Sequence, residues 1–556
     1  MRYSVINILM VEMFERFSFY SICYTMTLFL TGAYDEDWNA GFGSVKAASF
    51  VSVSTMVAYS TPFVGAFLAD SMLGDYKSIL LGLLVFYVPG VALIMLSTIP
   101  HLLGDEFNDN LLTLAVLCMW PMGTGIVKSI VNVFGAKQYH PVLQSSLIQS
   151  YYVSFYTVIN VGALAGIGLI PILAQYSITI AYMVPMGLLT IGGTSLILGT
   201  PRYVRTPPRK RQGNVCFGSG RKKHFVGGPK TISLFEIFRI GLCIVPFCVG
   251  YNQMPTTFIV QGTVMSNAFG IFDVASMNSL DAISVLFFGS LTANYGYPFL
   301  AKKGIKIPTT YKFAIGSALG SMAIIWAIVV EHMIHTTYHA TGEKVNVLWQ
   351  APCYVLIGLV LASACNIFNI GGVPNFICIG LYHICSHWFE NSEGNSNIGH
   401  IDAYATAHVG KYFTVLLCVM VFGIILNILP GVKEYVESIE ERAAEIVKTP
   451  HIGKSPQSAV MRRPNSDDET TPLVVTTPRT RKYQEYLKNG SGPMIARSGS
   501  MRAGPPLSRS DLPGGKIKNV QRKFIPKLYK SGPEARRVQV ATGPDGKPIR
   551  AGTLTR

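Results

Sequence analysis

The sequence predicts an all-α polytopic membrane protein, and three observations support this fold class. Hydrophobic residues make up 49% of the 556 positions and charged residues only 14%, below the ~25% typical of soluble domains. Predominantly apolar runs long enough to cross about 30 Å of hydrocarbon as helices recur over residues 3–431. Basic and acidic loops alternate between these runs, as expected when a chain crosses a membrane repeatedly.

We predict twelve membrane-spanning helices. Their bounds are 3–32, 46–70, 77–99, 111–136, 145–174, 178–200, 232–266, 278–301, 307–333, 348–369, 372–389 and 411–431. The eleventh is the weakest, because it is short and contains His383 and His387. A long loop after the sixth helix predicts two six-helix bundles, at residues 1–200 and 231–432, joined by a loop at 201–230.

The charges of the loops predict the orientation. The loop 201–230 contains nine Lys or Arg residues and no acid, which places it in the cytoplasm by the positive-inside rule. The loops around Asp35, Asp105 and Glu390 are acidic. Both termini are therefore expected in the cytoplasm. The first apolar run lacks the features of a cleaved signal peptide and is expected to stay in the mature protein.

Residues 433–556 are predicted to form a cytoplasmic tail, disordered apart from a short helix at its start. Between positions 451 and 556 the tail holds 21 Lys or Arg and 7 Asp or Glu, and it is rich in Pro, Gly, Ser and Thr. Such a composition cannot bury enough apolar surface to fold. The tail's expected partners are anionic lipids of the bilayer or sorting machinery, and nucleic acid is not expected.

Three ionisable residues interrupt the first apolar run. Glu12, Glu15 and Arg16 have i, i+3 and i+4 spacing, so they share one helix face. A charge near the centre of a bilayer costs roughly 2.5 to 3.5 kcal/mol. This face is therefore expected to point into the protein and to serve a function. The alternative is a static ion cluster that fixes helix packing.

Five motifs in the predicted spans resemble the proton-dependent oligopeptide transporter (POT) family of the major facilitator superfamily. The similarity covers roughly residues 3–360, and the chain resembles a divergent member. The motifs are Glu12-x-x-Glu15-Arg16-Phe17 in the first span, residues 65–79 across the second and third, 123–128 in the fourth, 155–164 in the fifth and 349–358 in the tenth.

The resemblance implies a proton-coupling site. It assigns proton coupling to Glu12, Glu15, Arg16 and Lys128, with Lys128 facing the first-span acids across a central cavity. It also suggests a gating contact for Asp70, which could equally be a solvated helix end. No cofactor is expected besides protons as the coupling ion. The ten cysteines show no metal-ligand spacing, so no metal site is expected either.

Departures from the family concern the substrate. Cys23 and Asn252 stand where peptide carriers have an Arg and its acidic partner, and no acid occurs between Glu343 and Glu390, where the tenth span would provide an acid for a peptide's amino group. We therefore expect that blocking either terminus of a dipeptide changes its binding little. Polar candidates for the substrate pocket are Tyr20, Tyr156, Asn160, Asn252, Gln253, Gln261, Asn366 and Asn369.

These features predict a proton-coupled symporter that moves a small peptide or other small nitrogenous or organic solute by alternating access. The alternative is a non-transporting nutrient sensor on the same fold. An enzyme is not expected, because the sequence shows no paired metal ligands, nucleophile elbow or phosphate loop. The expected location is the plasma membrane or an endolysosomal membrane.

Overall fold

A computed structural model describes residues 3–102, 104–140, 144–208, 233–304, 307–360, 372–448, 517–519 and 539–541. Residues 1–450 form one compact unit, and residues 451–556 form a second. The first unit is almost entirely helical in the part that the structure describes. This agrees with the predicted fold class.

Six helical segments make up the first half of the chain. They are α1 Tyr3–Leu30, α2 Ser44–Leu73, α3 Asp75–Ser97, α4 Asp109–Ala136, α5 Ser145–Ala174 and α6 Ile178–Leu198. In α3 and α4, a π-helical turn comes directly before Val88-Pro89 and Trp120-Pro121. Proline donates no hydrogen bond and its ring collides with the carbonyl four residues earlier, so a widened turn accommodates it.

The second half contains six further segments and a terminal helix. They are α7, which is divided into Leu234–Leu242, Val245–Tyr251 and Thr257–Thr263, then α8 Val274–Leu300, α9 Thr309–Thr341, α10 Val347–Leu359, α11 Val373–Ile384, α12 Val409–Ile428 and α13 Pro430–Lys448. Short helical turns occur at Thr200–Arg202, Ser386–Phe389 and Ile401–Tyr404.

Two predicted spans differ from the structure for identifiable reasons. The seventh was predicted as one helix over 232–266, but Pro246 and Pro255 interrupt it, and α7 consists of three pieces. The ninth was predicted to end at 333. Instead α9 continues through a polar turn to Gly342, whose positive φ of 72° ends the helix.

Eight of the described segments are long and apolar enough to cross a membrane: α2, α3, α4, α5, α6, α8, α9 and α12. The first helix has 28 residues and contains the three predicted charges. The described parts of α10 and α11 are shorter apolar helices. The described helices thus follow the order of the twelve predicted spans, and residues 361–371 lie outside the described part of the chain.

Buried apolar side chains form two clusters. One lies between Val5 and Tyr203, and the other lies mainly between Ile240 and Ile439. Tyr20 and Tyr34 pack against both clusters. These two tyrosines therefore lie between the two halves of the chain, while the predicted domain boundaries stay a prediction.

Helices α1 and α5 pack closely because α5 presents glycines to the α1 backbone. A Cβ atom added at Gly162 would lie 2.4 Å from the carbonyl oxygen of Met13, and one added at Gly166 would lie 2.5 Å from that of Phe17. Backbone atoms cannot move aside as a flexible side chain can. This contact fixes the position of Glu12, Glu15 and Arg16 relative to α5.

Gly162→Ala should therefore destabilise the protein by about 1 to 3 kcal/mol, as overpacking in a tight interior does. Gly168→Ala, in the same helix, is the matched control, because a Cβ at Gly168 would have no neighbour within 4 Å. Thermal unfolding of the two purified variants measures the difference. Equal melting temperatures would contradict the close packing of α1 and α5.

The end of the first unit contains an ion pair. Arg442 Nη2 of α13 lies 2.8 Å from Glu236 Oε1, and Glu236 also caps the first piece of α7 by accepting a hydrogen bond from Ser233 N at 2.9 Å.

In the second unit, Ile517–Asn519 and Gln539–Ala541 pair as antiparallel strands. The other residues of 451–556, for which disorder was predicted, lie outside the described residues.

Candidate functional site

The three charged residues of α1 form one buried cluster, as their spacing predicts. Arg16 Nε lies 3.2 Å from Glu12 Oε1, and Arg16 Nη2 contacts Glu15 Oε2. Glu15 is fully buried, and Glu12 and Arg16 are each 2% exposed. Glu12 Oε2 has no hydrogen-bond partner among the described residues. The Arg16 guanidinium group thus pairs with both carboxylates, whereas Glu12 Oε2 has no partner among the described residues.

Tyr87 of α3 is a member of this cluster that sequence reasoning missed. Its hydroxyl group donates to Glu15 Oε1 and to the Glu15 carbonyl oxygen, both at 3.2 Å. Tyr87 is completely buried. A tyrosine inside an apolar span gives no sequence pattern that identifies its partner, so only the packing of α3 against α1 shows this contact.

Lys128 of α4 lies close to the cluster without joining it. Its ammonium group is within electrostatic range of Glu12, Glu15 and Arg16. Yet it forms no ion pair with a carboxylate in the described part of the chain, and it lies 4.4 Å from the ring centre of Tyr59 and 5.6 Å from that of Phe19. A cation over aromatic faces is partly compensated. Lys128 therefore remains available to another anion.

Tyrosines on α1, α2 and α7 remain partly exposed. Tyr20 and Tyr59 lie well inside α1 and α2, and Tyr251 is the last residue of the second piece of α7. Tyr20 stacks on Tyr24 with ring centres 6.1 Å apart. Because Tyr20 packs against both apolar clusters, it lies at the interface between the halves.

The remaining predicted pocket residues have varied surroundings. Cys23 and Asn252 are both buried and neutral, as their residue types require. Asn160 is buried and donates to the Tyr156 carbonyl oxygen at 2.8 Å, while Tyr156 is 39% exposed. Asn366 and Asn369 lie outside the described residues. The substrate-binding role of these residues stays a prediction.

Two of the predicted pocket residues are held in the interior of the second half. Gln253 Nε2 donates to Val249 O at 2.8 Å, and its Oε1 accepts hydrogen bonds from Thr257, Tyr382 and Tyr412. Gln261 donates to Glu331 at 2.8 Å and accepts from Gln350 at 2.9 Å. Both glutamines are completely buried. These hydrogen bonds fix the packing of the helices around both glutamines, and the substrate-binding role of Gln253 and Gln261 stays a prediction.

Sequence reasoning also missed two acids within predicted spans. Glu331 of α9 is 4% exposed and accepts hydrogen bonds from Gln261 and from Tyr404, at 2.7 Å, while His335 Nε2 lies 3.3 Å away. Asp281 of α8 is 7% exposed. The cost of an intramembrane charge, which identified the first-span cluster, would have identified both.

Asp70, predicted to gate, is exposed in the π-helical turn Leu68–Leu73 and forms no ion pair with any described residue. Asp75 forms the ion pair at this end of the bundle. Its Oδ2 lies 2.7 Å from Lys137 Nζ and accepts a hydrogen bond from Thr206 at 3.1 Å. The gating role of Asp70 stays a prediction.

Hydrogen bonds join the two halves at the acidic-loop end, which we define by the loops 31–43, 98–108, 264–273 and 385–408. Tyr34 donates to Asp273 Oδ2 at 2.8 Å, and Gln175 donates to Ile271 O at 2.8 Å. Ser44 N donates to Ser396 O at 2.9 Å. The halves are therefore closed against each other at this end.

Burial raises the pKa of Asp273, against the opposing effect of its hydrogen bonds with Ser276 and Tyr34. The carboxylate therefore takes up a proton in milder acid than an ordinary aspartate, and the neutral carboxyl group is the weaker acceptor. In an open, hydrated conformation Asp273 would have an ordinary pKa, so the closed conformation binds the proton more tightly and acidification should favour the closed end. Tyr34→Phe should shift the equilibrium toward opening of this end by about tenfold, since the lost hydrogen bond to a charged group is worth about 1.5 kcal/mol.

Spin labels at the exposed positions Asp37 and Glu393 measure this opening as a longer distance between the labels. The unmutated protein should close further as the pH falls, whereas Tyr34→Phe should be more open at neutral pH by a margin that shrinks in acid, where the protonated Asp273 is the weaker acceptor. An unchanged distance distribution in the variant would show that this hydrogen bond does not hold the end closed.

Comparison with known proteins agrees with this geometry. The POT family model, PTR2, matches residues 76–219 and 221–378. Solute carrier family 15 member 1 of Homo sapiens is 26% identical over 382 residues, which cover 60% of this chain and 52% of that protein. Peptide transporter PTR2 of Saccharomyces cerevisiae is 24% identical over 400 residues, covering 63% and 65%. The chain thus spans about half the length of the first of these relatives.

Solved structures resemble the fold more completely. An auto-inhibited POT family peptide transporter superposes with a TM-score of 0.57 at 17% identity, covering 80% of this chain and 97% of the other. The POT family transporter PepTSo has a TM-score of 0.55 at 18% identity, covering 80% and 94%. At such low identity these matches establish the fold alone.

Proposed function

Because the chain belongs to the proton-dependent oligopeptide transporter family, we propose that it is a proton-coupled symporter that moves a small peptide or other small nitrogenous solute across a membrane by alternating access. The observation that carries this proposal is the buried α1 cluster, in which Glu12 and Glu15 share Arg16 while Lys128 has no ion-pair partner among the described residues. Transport, not catalysis, is the activity that this arrangement supports.

Proton binding to the cluster changes its charge balance. Glu12, Glu15, Arg16 and Lys128 carry two negative and two positive charges when all are ionised. Glu12 Oε2 has neither a hydrogen bond nor an ion-pair contact among the described residues, whereas Glu15 Oε2 contacts Arg16, so Glu12 Oε2 is the oxygen best placed to take up a proton. Protonation leaves one excess positive charge, which favours an anionic solute group at Lys128. Proton and solute therefore bind with positive coupling, and each increases the affinity for the other.

Alternating access requires that the halves separate at one end while they close at the other. The hydrogen bonds from Tyr34 and Gln175 close the acidic-loop end in this conformation. If the basic loop 201–230 is cytoplasmic, this conformation faces the cytoplasm and both termini lie there. The plasma membrane and an endolysosomal membrane both suit this orientation, and the basic tail would contact anionic lipids or sorting machinery on the cytoplasmic side.

Uptake into proteoliposomes tests the proposal. Purified protein is reconstituted, and a labelled dipeptide is offered with an inward proton gradient, without a gradient, and with a protonophore. Accumulation above the external concentration only in the presence of the gradient is expected. Equilibration without accumulation would contradict proton coupling. Binding without any uptake would contradict transport and favour the sensor.

A further inference from the structure

A groove of about 470 Å³ lies between the start of α1 and the end of α6. Its lining includes Tyr3 and Asn7, which are one turn apart on α1, and Arg202, just beyond the end of α6. The α6 part of the lining, from Thr190 to Leu198, extends about 12 Å along the helix axis. The groove therefore continues from the end of α6 along a helix that is long and apolar enough to cross a membrane.

One end of the groove carries a positive charge. Arg202 is the only charged side chain among the described residues that line it. The guanidinium carbon of Arg202 lies 4.5 Å from the ring centre of Tyr3, and Arg202 forms no ion pair with any acid of the described chain. A guanidinium group stacked on an aromatic ring keeps its N–H donors at its edge, where they can bind a phosphate or carboxylate group. This end of the groove therefore suits an anion.

The α6 side of the groove suits an acyl chain. Ile191 is 56% exposed and Leu198 is 74% exposed. Thr190 and Thr194 are also exposed, and each donates its hydroxyl group to the carbonyl group four residues earlier in α6. Neither threonine therefore leaves a donor unpaired in an apolar environment, where an unpaired donor is costly.

The position of the groove favours a lipid over a soluble anion. Arg202 belongs to the loop 201–230, whose basic residues place it on the cytoplasmic side by the positive-inside rule. The cytoplasmic leaflet is the one that carries anionic lipids. A lipid phosphate at Arg202 would leave an acyl chain free to extend along Ile191 and Leu198, whereas a soluble anion would use the arginine alone.

We propose that this groove binds one anionic phospholipid of the cytoplasmic leaflet, with the lipid phosphate at Arg202 and an acyl chain along Ile191 and Leu198. The inference goes beyond the proposed transport function, because it assigns a lipid site to the first half of the chain. The bound lipid contacts both α6 and α1, the helix that carries the proton-coupling cluster. Because it binds the folded protein, it stabilises the packing of these two helices.

Native mass spectrometry of the purified full chain in detergent measures the affinity for added dioleoyl-phosphatidylserine and dioleoyl-phosphatidylcholine. The unmutated protein should bind phosphatidylserine about 5-fold more tightly, the factor for one basic residue at an anionic surface. Arg202→Gln should abolish this preference. Arg205→Gln is the matched control, because Arg205 is exposed and lies near the ring of Tyr76, outside the lining of the groove. The control should keep the preference.

Thr194→Trp distinguishes a lipid in the groove from general attraction to surface charge, because the indole fills the groove and leaves the net charge unchanged. It should also weaken phosphatidylserine binding. Undiminished binding by Thr194→Trp, or an equal loss of preference in Arg205→Gln, would overturn the site. Equal affinity of the unmutated protein for both lipids would overturn it as well. Displacement of phosphatidylserine by an excess of inorganic phosphate would assign the groove to a soluble anion and refute the lipid.

Thermal unfolding separates lipid binding from damage to the fold. Arg202 and Thr194 are exposed, so both variants should melt at the unmutated temperature in lipid-free detergent. Added phosphatidylserine should raise the melting temperature of the unmutated protein and of Arg205→Gln, but not that of Arg202→Gln or Thr194→Trp. Equal stabilisation of all four proteins would contradict the proposal. None of these measurements involves transport, so their outcome is independent of the proposed function.

Discussion

Glu15→Gln should abolish accumulation of solute under a proton gradient while leaving exchange between two equal pools measurable. Glu15 is fully buried between Arg16 and Tyr87, so it is a central part of the charge balance that a proton would alter. Glutamine keeps nearly the same shape but removes one negative charge, so the cluster carries its excess positive charge permanently and not only when Glu12 is protonated. The solute-loaded carrier could still change between its two conformations and so exchange solute. The proton gradient, however, could no longer drive net accumulation of the solute.

The measurement is labelled dipeptide uptake by proteoliposomes with and without a gradient, followed by counterflow at equal pH on both sides. Glu36→Gln is the matched control, because it removes an exposed carboxylate from the loop 31–43. Accumulation by Glu15→Gln at the level of the control would remove Glu15 from the coupling mechanism. Loss of counterflow as well would indicate damage to the fold.

Lys128→Gln should reduce proton-driven uptake by about 100-fold, because leaving a buried charge without its compensating cation costs roughly 3 kcal/mol. The variant leaves Glu12, Glu15 and Arg16 with one excess negative charge. A proton is then needed merely to neutralise the cluster, and no cation remains on the ring of Tyr59 to receive an anionic solute group. Proton binding and solute binding should therefore become independent.

Lys46→Gln is the control for this variant. Lys46 also lies over an aromatic ring, 3.5 Å from the centre of Phe42, but near the start of α2 at the acidic-loop end. Uptake and its pH dependence should be close to normal in the control. If Lys128→Gln retained both as well, Lys128 would serve packing alone, and the coupling site would be reduced to the residues of α1.

The sequence determined those features that depend on short stretches of chain. Apolar runs predict helices because a span in a bilayer must satisfy its own backbone hydrogen bonds. Glu12, Glu15 and Arg16 cluster because their spacing places them on one helix face whatever surrounds the helix. The close approach of Gly162 to the backbone of Met13, by contrast, comes only from the fold.

The tertiary structure alone decided which polar residues have partners. Gln253, for example, accepts hydrogen bonds from Tyr382 and Tyr412. The two tyrosines are 129 and 159 residues away in the chain, so the sequence around Gln253 does not indicate these partners. Glu331 and Asp281 are both single acids in apolar spans. Glu331 has partners in two other segments and a third, His335, in its own helix, whereas Asp281 Oδ1 has no hydrogen-bond partner among the described residues. A sequence shows that a buried charge must be compensated. Only the packing of helices distant in the chain shows whether, and by which residues, the charge is compensated.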